Sequence, residues 1–348
     1  MILHYIHSSD PRTGGVLEAA RNLDGELNRQ GVPSMLCFDP KELHQGVTMV
    51  IAHGLWQWPG VAAYHEYLRT GTPYLVYPHG MLDPWFKKSN PIKHVKKQLY
   101  WWCKQGKILK RASAVCFTTE EERQLAKKTF IPYRCNEVVT GLGIPNPEGD
   151  VKKQLHLFQE KFPETLNKNV LLYMGRIHPK KGIDMLLEAF AKHASGQNLL
   201  VIAGPVEKDD ECFRKLYLQS KSIRKNILWT DMLEGDIKWG AFHMADAFIL
   251  PSHQENYGMV VAEACSMGVP ILLTNKVNLW REVLEYDAGL IADDNQEGIN
   301  QLVADWASGK TKGKNENARS CFKECLNVSN SVARLVSLTK EISQSTYS

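Results

Sequence analysis

Two glutamates eight residues apart, Glu255 and Glu263, have the type and spacing expected of a ligand-binding pair. The apolar run at 245–250 before them predicts a strand buried on both faces. After a short loop, apolar residues recur at helical spacing until Gly268 and Pro270, which predict the end of a helix. We therefore expect Glu255 in the loop and Glu263 on the helix, roughly 10 to 12 Å apart at about 1.5 Å of rise per helical residue.

The loop between the glutamates predicts an anion site. The backbone N–H groups of Tyr257, Gly258 and Met259 open the helix, and such donors, together with the helix dipole, attract anions. Gly258 has no side chain to block a close approach. The separation of the two carboxylates matches the span from the hexose to the ribose of a nucleotide sugar, with a diphosphate between them. The alternative is a buried helix with an N-terminal charge at Glu255 and a surface residue at Glu263, but the apolar neighbours of Glu263 favour a carboxylate that needs a partner.

Cations in the segment GRIHPKKG predict a second part of the same site. Lys180 and Lys181 stand at a predicted helix N-terminus, where a cation opposes the dipole unless an anion is bound. Arg176 offers a planar fork for phosphate oxygens and Lys181 a mobile point charge, so the pair could neutralise a diphosphate leaving group. The alternative is a set of ordinary solvated charges.

The segment 255–270 resembles the Glu-x7-Glu signature of family 4 retaining glycosyltransferases, of the exopolysaccharide or lipid-linked glycan type. The residues that carry the resemblance are Glu255, Asn256, Tyr257, Gly258, Glu263, Gly268, Val269 and Pro270. The resemblance implies an α/β protein with the GT-B fold, in which two Rossmann-like domains face a central cleft. It implies that Glu255 holds sugar hydroxyls, that Glu263 holds ribose hydroxyls, and that 256–259 bind the donor. Gly175-Arg176 and Lys181-Gly182 resemble the diphosphate-binding pair of this family.

Two features of the amino-terminal half fit the same resemblance. Gly14 and Gly15 follow the first predicted strand, where a glycine pair lets the backbone approach a phosphate, although a flexible turn is the alternative. The resemblance implies that this pair faces the donor diphosphate. His79, in YPHGMLDPW, resembles the histidine that contacts the donor sugar or the reacting region, the alternative being a satisfied loop residue. His53-Gly54 and His79-Gly80 both follow strands, and ligands of doubly wound sheets bind at such strand ends.

The elements that must position these residues alternate between apolar runs and helical patterns, which predicts parallel sheets. We expect an acceptor-binding domain at 1–168, a nucleotide-sugar-binding domain at 169–328, and a final helix at 329–348 that packs on the first domain. The Gly- and Pro-rich segment TGLGIPNPEGD marks an approximate crossing between the domains. The predicted strands are 1–7, 32–38, 47–52, 74–77, 112–118, 138–139, 170–174, 199–203, 226–229, 245–250, 271–274 and 289–292.

The loop TDMLEGD resembles the segment where related enzymes seat the nucleobase. Those enzymes often have a glycine where this chain has Asp231. The identity of the base therefore stays open.

The segment 87–111 contains nine Lys or Arg, no acidic residue and three consecutive aromatic residues. Helical spacing predicts that Ile92, Val95, Leu99 and Trp102 form the inward face of a helix. The remaining basic and aromatic groups suit an anionic membrane surface or a lipid-linked phosphate acceptor. The alternative is a solvated basic face whose tryptophans pack inside.

Length and composition exclude several classes of protein. The chain has 348 residues, 43% of them hydrophobic and 23% charged, which suits two domains of ordinary globular composition. No apolar run is long enough to span a membrane. A net charge of +4 is too small to indicate nucleic-acid binding. The start MILHYIHSSD predicts a strand and not a signal peptide. Eight cysteines without a C-x-x-C pair favour reduced thiols, a cytoplasmic protein and no structural zinc.

The resemblance implies a retaining glycosyltransferase that moves a hexose-type sugar from a nucleotide diphosphate sugar to a glycan or lipid-linked acceptor. It implies no cofactor and no metal, with Arg176, Lys181 and the glycine-containing loops in place of an ion. Glu255 as a covalent nucleophile is disfavoured, because the second carboxylate is too distant for the partner role. The alternatives are a non-catalytic sugar-nucleotide-binding module and a GT-B sugar-nucleotide epimerase. The fold alone cannot separate these alternatives.

Overall fold

The protein contains two parallel sheets, each in its own unit. The computed structural model describes residues 1–10, 15–42, 44–206 and 209–346. The first unit is Met1–Pro145 with Leu326–Ser348, and the second is Asn146–Cys325. The predicted α/β class with two Rossmann-like sheets is confirmed.

The first unit is built on a sheet in which the described strands are all parallel, in the order β2-β1-β3-β4-β5-β6. Its central strands are continuous apolar runs because both sheet faces are covered by helices. The strands are β1 (Ile2–Tyr5), β2 (Ser34–Cys37), β3 (Met49–His53), β4 (Tyr74–Tyr77), β5 (Ala114–Phe117) and β6 (Glu137–Val139).

The helices of the first unit cover this sheet, and two of them have clear N-terminal signals. Asn90 accepts a hydrogen bond from the Lys93 N–H at the start of α4, where Pro91 is the first helical residue. Thr119 caps α6 by accepting from the Glu122 N–H at 3.0 Å. The helices are α1 (Gly15–Arg29), α2 (Trp58–Thr70), α3 (Trp85–Ser89), α4 (Pro91–Tyr100), α5 (Gly106–Arg111) and α6 (Glu120–Ala126), with a π-helical turn at Trp101–Gln105.

The second unit repeats the arrangement with a parallel sheet in the order β12-β11-β10-β7-β8-β9. The switch in strand order falls between β10 and β7, which is where ligands of doubly wound sheets bind. The strands are β7 (Asn169–Met174), β8 (Asn198–Ala203), β9 (Ile227–Asp231), β10 (Ala247–Leu250), β11 (Ile271–Thr274) and β12 (Gly289–Ala292).

The helices of the second unit follow the predicted periodicity. In the helix after β7, Ile183, Leu186, Leu187 and Phe190 are all buried. The helix after the signature loop ends at Ser266, just before the predicted stop at Gly268 and Pro270, and Gly268 is in the left-handed conformation. The helices are α7 (Val151–Lys161), α8 (Ile183–Ala191), α9 (Glu211–Gln219), α10 (Gly235–Met244), α11 (Met259–Ser266), α12 (Trp280–Glu285), α13 (Gln296–Ala307) and α14 (Asn315–Cys321).

The units divide at 145/146 and 325/326, whereas the sequence placed the boundaries at 168/169 and 328/329. The first difference arises because α7 packs on α10 of the second unit. The contact is close, since a Cβ at Gly240 would lie 2.2 Å from the Gln154 carbonyl oxygen. The last helix, α15 (Val328–Thr346), belongs to the first unit and packs on α1. A bridge between Ile144 and Asn327 joins the two segments of that unit.

The apolar face of α4 corrects a sequence prediction. Ile92, Val95, Leu99 and Trp102, predicted to face inward, are 73%, 61%, 54% and 56% exposed. We call these four residues the outward apolar stripe.

Polar residues instead form the inward side of α4. The His94 ring stacks on Phe130 with ring centroids 4.8 Å apart, the Lys97 ammonium lies 4.6 Å from the Trp56 ring centroid, and the Gln98 amide donates to the Ile131 carbonyl at 2.7 Å. Removal of Lys97 from water lowers the pKa of its ammonium. The periodicity therefore identifies the apolar face correctly, but the protein does not cover it.

No described helix combines the length and apolar character needed to cross a membrane. All eight cysteines are free, in agreement with the expected reduced thiols.

Candidate active site

The loops that follow β7 and β10 bring the predicted cations and the first signature glutamate together. These strands are hydrogen-bonded neighbours, with Ala247 opposite Leu171 and Phe248 opposite Leu172. Because parallel neighbours end at the same edge of a sheet, the loops after Met174 and Leu250 meet there.

Lys181 and Glu255 form an ion pair across these loops, in which Lys181 Nζ donates to Glu255 Oε2 and both side chains are largely buried. Lys181 ends a 3₁₀ turn, and Gly182, in the left-handed conformation with φ of 65°, directly precedes α8. A Cβ at Gly182 would lie 2.1 Å from the Pro251 carbonyl oxygen, so only glycine fits between the loops. The His253 N–H donates to the Lys180 carbonyl at 2.9 Å and fastens the same contact.

Arg176 lies at the start of the β7 loop, and its side chain is exposed. Its carbonyl accepts a hydrogen bond from the Tyr173 hydroxyl at 2.9 Å, which fixes the backbone while leaving the guanidinium to the solvent side. The pKa of the His178 imidazole is lowered, mainly by burial and then by the positive charges of Arg176, Lys180 and Lys181. The loop is therefore a concentrated positive site suited to a multiply charged anion.

The start of α11 has the features of an anion-binding terminus. Gly258 has φ of 71°, and its carbonyl accepts from the Val261 N–H at 2.7 Å. The N–H groups of Gly258 and Met259 have no protein acceptor among the described residues. The Tyr257 ring is buried, which raises the pKa of its hydroxyl, so this residue can offer a ligand only its backbone.

The loop residues between the glutamates are held by the segment after β11. The Glu255 N–H donates to the Lys276 carbonyl at 2.9 Å, and the Asn278 N–H donates to the Glu255 carbonyl at 3.0 Å. The Asn278 amide also donates to Asn256 Oδ1 at 3.4 Å. Asn256 is thus fixed beside Glu255 at the rim of the site.

Glu263 has the partner that its apolar surroundings required. Lys238 Nζ, from α10, donates to Glu263 Oε1 at 2.6 Å, with both side chains largely buried. The sequence did not identify Lys238, because its role depends on a contact between α10 and α11 across 25 positions of the chain, and no local motif marks it. The distance between Glu255 and Glu263 stays a prediction.

Asp231, the departure from the family pattern, has a local structural explanation. Its φ is 63°, in the left-handed region where glycine is favoured. Its carboxylate compensates by accepting from the Val206 N–H at 2.9 Å and from the Met232 N–H at 2.8 Å. The aspartate therefore preserves the backbone turn that a glycine would give.

The predicted residues of the first unit lie at the start of α1 and beyond β4. Gly14 is outside the described residues. Gly15 begins α1, and a Cβ there would meet no described atom within 4 Å. His79 follows β4, is half-buried, and has φ of 50°. Its ring nitrogen Nε2 lies 2.9 Å from Nδ1 of His53, at the end of β3, so the two predicted strand-end histidines contact each other.

A group of metal-ligating residue types lies in the first unit. Cys37 Sγ, a carboxylate oxygen of Glu42 and a ring nitrogen of His44 are within 4.8 Å of one another. This group follows β2, whereas the signature glutamates belong to the second unit. The expectation of transfer without a metal stays a prediction.

Comparison with known families matches both units. The family model described as "Glycosyl transferases group 1" matches residues 156–320, and the model described as "Glycosyl transferase 4-like domain" matches residues 30–140. Each match falls inside one of the two units.

Two curated relatives share more than a quarter of the aligned residues with this chain. The capsular polysaccharide biosynthesis glycosyltransferase CapM of Staphylococcus aureus is 28% identical over 191 residues, 52% of this chain and 50% of the relative. The lipopolysaccharide 1,2-N-acetylglucosaminetransferase of Salmonella typhimurium is 29% identical over 174 residues, 46% of this chain and 44% of the relative. The chain thus spans about half the length of these relatives.

Solved structures resemble the chain over nearly its whole length. Sucrose-phosphate synthase from Thermosynechococcus elongatus superposes with a TM-score of 0.75 at 15% identity, covering 99% of both chains. Anabaena Alr3699/HepE, determined in complex with UDP and glucose, superposes with a TM-score of 0.72 at 14% identity, again covering 99% of both chains. At such identities the likeness shows the fold. With a family match in each unit and this fold throughout, the chain belongs to the family 4-type glycosyltransferases of the GT-B fold.

Proposed function

We propose that the chain transfers a hexose-type sugar from a nucleotide diphosphate sugar to a glycan or lipid-linked glycan, with retention at the anomeric carbon and without a metal ion. The observation that carries the proposal is the contact of Lys181 with Glu255 beside Arg176 and the start of α11. This arrangement combines phosphate-binding cations with a carboxylate able to hold sugar hydroxyls.

The diphosphate of the donor would take the place of Glu255 as the partner of Lys181. Its oxygens would also accept from the Arg176 guanidinium and from the N–H groups of Gly258 and Met259. Fixed donors of this kind act most strongly where charge develops, so they would stabilise the departing diphosphate. Glu255, released from Lys181, is then available to hydrogen-bond sugar hydroxyls.

The transfer itself breaks the bond between the anomeric carbon and the diphosphate oxygen. The acceptor hydroxyl oxygen forms the new bond on the same face, and its proton passes to the departing phosphate oxygen. Glu263, fixed by Lys238, would accept hydrogen bonds from the ribose hydroxyls, and His79 would contact the sugar.

The relatives support this choice of substrates. One is a capsular polysaccharide biosynthesis glycosyltransferase and another is a lipopolysaccharide 1,2-N-acetylglucosaminetransferase, while the structure of Alr3699/HepE was determined with UDP and glucose. A UDP-sugar donor and a polysaccharide or lipid-linked acceptor are therefore the first to test.

The deciding experiment measures release of nucleotide diphosphate from UDP-, GDP- and ADP-sugars, with no metal added. We expect release from one donor, reduced about 10²- to 10³-fold by Lys181→Ala and by Glu255→Ala, since each removes a group that acts on the leaving diphosphate or the sugar. The matched controls are Lys192→Ala and Glu188→Ala, which break an exposed ion pair in the same unit and should leave the rate unchanged. Failure to bind any donor would overturn the proposal, and donor conversion without nucleotide release would favour an epimerase.

We propose that the acceptor lies at an anionic membrane surface and that α4 contacts this surface. The outward apolar stripe projects from a helix whose polar side packs on the protein, the reverse of a normal globular helix. Lys88, Lys93 and Lys96 are exposed around it, and 87–111 contains no acidic residue. An apolar stripe bordered by lysines suits insertion at the headgroup level of anionic lipid. This contact would make the chain a peripheral protein of the inner membrane face.

Flotation with vesicles tests this placement. At low salt the protein should float with vesicles that contain phosphatidylglycerol. With vesicles of phosphatidylcholine alone it should remain in the bottom fraction of the gradient. The double substitution Ile92→Ser/Leu99→Ser should abolish flotation, because burial of those side chains supplies the apolar part of the binding. Leu68→Ser removes a similarly exposed leucine, 62% exposed on α2, and should change nothing. Equal loss in both variants, or no flotation of the unaltered protein, would overturn the placement.

A further inference from the structure

Three histidines from neighbouring strands form a continuous hydrogen-bonded stack in the first unit. His4 lies within β1, His53 ends β3, and His79 follows β4. His4 Nδ1 is 2.9 Å from His53 Nε2, and His53 Nδ1 is 2.9 Å from His79 Nε2. Each adjacent pair of rings has centroids 5.2 Å apart. The stack therefore leads from the sheet interior to the predicted sugar-contacting residue.

Burial favours the neutral form of all three rings at physiological pH. Burial lowers the pKa of His4 to about 3 and that of His79 to about 4, and it lowers the pKa of His53 well below its ordinary value. A neutral imidazole has one donor nitrogen and one acceptor nitrogen. The two hydrogen bonds must consequently run in the same direction, and the tautomer of one ring determines the tautomer of the other two.

The buried end of the stack determines that direction. His4 Nε2 is inaccessible to solvent and has no partner among the described residues. A buried N–H without an acceptor is rarer and costlier than an unfilled acceptor, so His4 Nε2 carries no proton. His4 then donates from Nδ1 to His53, and His53 donates from Nδ1 to His79. The last ring must hold its proton on Nδ1, which has no protein partner in the described part of the chain.

The backbone around His79 holds the ring in place for this role. The Glu122 carboxylate accepts from the Gly80 N–H at 2.5 Å and from the Thr118 N–H at 2.8 Å. This contact stabilises the turn in which His79 has φ of 50°. The Tyr77 ring stacks on His53 and on His79, with centroids 5.5 Å and 5.7 Å away.

We propose that His4 and His53 are positioning residues that fix His79 as a neutral Nδ1–H donor, so that it donates a hydrogen bond to an oxygen of the bound sugar and cannot act as a base. Only the identity of the ligand rests on the function proposed above. The direction of the hydrogen bonds in the stack is a property of the protein without substrate, so it can be tested without measuring turnover.

The test is a two-bond proton–nitrogen correlation spectrum of the protein labelled with ¹⁵N-histidine, recorded at pH 7 without a donor. We expect three neutral histidines with the proton on Nδ1, the tautomer that free histidine adopts less often. His4→Gln, His53→Phe and His79→Gln assign the three signals by their loss. A proton on Nε2 or a charged ring at any of the three positions would overturn the proposal. Because no substrate is present, that result would not affect the glycosyltransferase assignment.

A second measurement tests the consequence for binding. His53→Phe keeps an aromatic ring against Tyr77 but cannot hydrogen-bond, so His79 should revert to the Nε2–H tautomer. The donor KM should then rise about tenfold while kcat changes less, because a hydrogen bond to the bound sugar is lost. His65→Phe, in α2 of the same unit, is the matched control and should leave both the tautomer of His79 and the KM unchanged. An unchanged His79 tautomer in His53→Phe would contradict the coupling.

Discussion

Each signature glutamate is paired with a lysine from a different element. Glu255 contacts Lys181 of the turn before α8, and Glu263 contacts Lys238 of α10. The two pairs differ in what a ligand must do. A diphosphate would compete with Glu255 for Lys181, whereas ribose hydroxyls could add to the Glu263 carboxylate while Lys238 stays in place.

Lys238→Met should raise the donor KM about tenfold and change kcat only slightly. The substitution keeps the apolar stem but leaves the Glu263 carboxylate without its partner, so ribose binding weakens equally in the ground state and the transition state. Steady-state kinetics with the donor that the release assay identifies gives both constants. Lys215→Met breaks an exposed helical pair with Glu211 and is the control. A fall in kcat at constant KM would contradict a role confined to binding.

Local sequence patterns indicate the separate residues of the candidate site, but not the contacts between them. Glu255, Lys181 and Arg176 are marked by local patterns, since a strand, a turn and a helix start surround each of them. Lys238 and His4 carry no such mark. Their partners are 25 and 49 positions away in the chain, and only the packed elements bring them together.

At the level of elements, the site depends on how the β7 and β10 loops fit against each other. The fit places the backbone of Gly182 against the Pro251 carbonyl, and Lys181 reaches Glu255 from the adjoining position. A loop contact of this kind affects catalysis by positioning Lys181, because a displaced cation no longer faces the charge that develops on the diphosphate.

Gly182→Ala should reduce turnover about 10- to 100-fold in a protein that remains folded. The added Cβ would lie 2.1 Å from the Pro251 oxygen at a residue with φ of 65°, so the turn carrying Lys181 must move. Turnover and circular dichroism are measured together. Gly196→Ala, at an ordinary backbone position with no atom within 4 Å of the new Cβ, serves as the control. Full activity of the Gly182 variant would show that the loop fit is unimportant for Lys181.

Strands and helix faces differ in how far sequence can predict them. Every described strand coincides with a predicted strand to within a few residues, and the central strands are the clearest because burial on both faces requires apolar runs. The face of α4 was assigned the wrong way round. Periodicity shows which side of a helix is apolar, but it carries no information on whether protein or another phase covers that side.

At the level of the whole molecule, each unit has its own sheet and core, but only the second is continuous in sequence. The first unit needs residues after 325 to complete it, through the packing of α15 on α1. The family resemblance predicted this return of the last helix. The first boundary was harder to predict, since α7 has no pattern that shows which sheet it will join.

Leu335→Ala and Leu302→Ala should each destabilise one unit. Both leucines are buried, Leu335 on α15 and Leu302 on α13, and each truncation should cost about 2 to 5 kcal/mol. Hydrogen exchange read strand by strand should show lost protection in β1–β6 for Leu335→Ala and in β7–β12 for Leu302→Ala. Loss spread evenly over both sheets in either variant would mean that the units do not unfold independently.

The first unit is formed by two segments that are far apart in the sequence, and this has a consequence during synthesis on the ribosome. Chains normally complete their amino-terminal domain first. Here the whole of Asn146–Cys325 emerges before α15 does, so the second unit can reach its native state while the first still lacks its last helix. The surface of α1 that α15 covers therefore stays exposed to solvent and to chaperones until residues 328–346 have been translated.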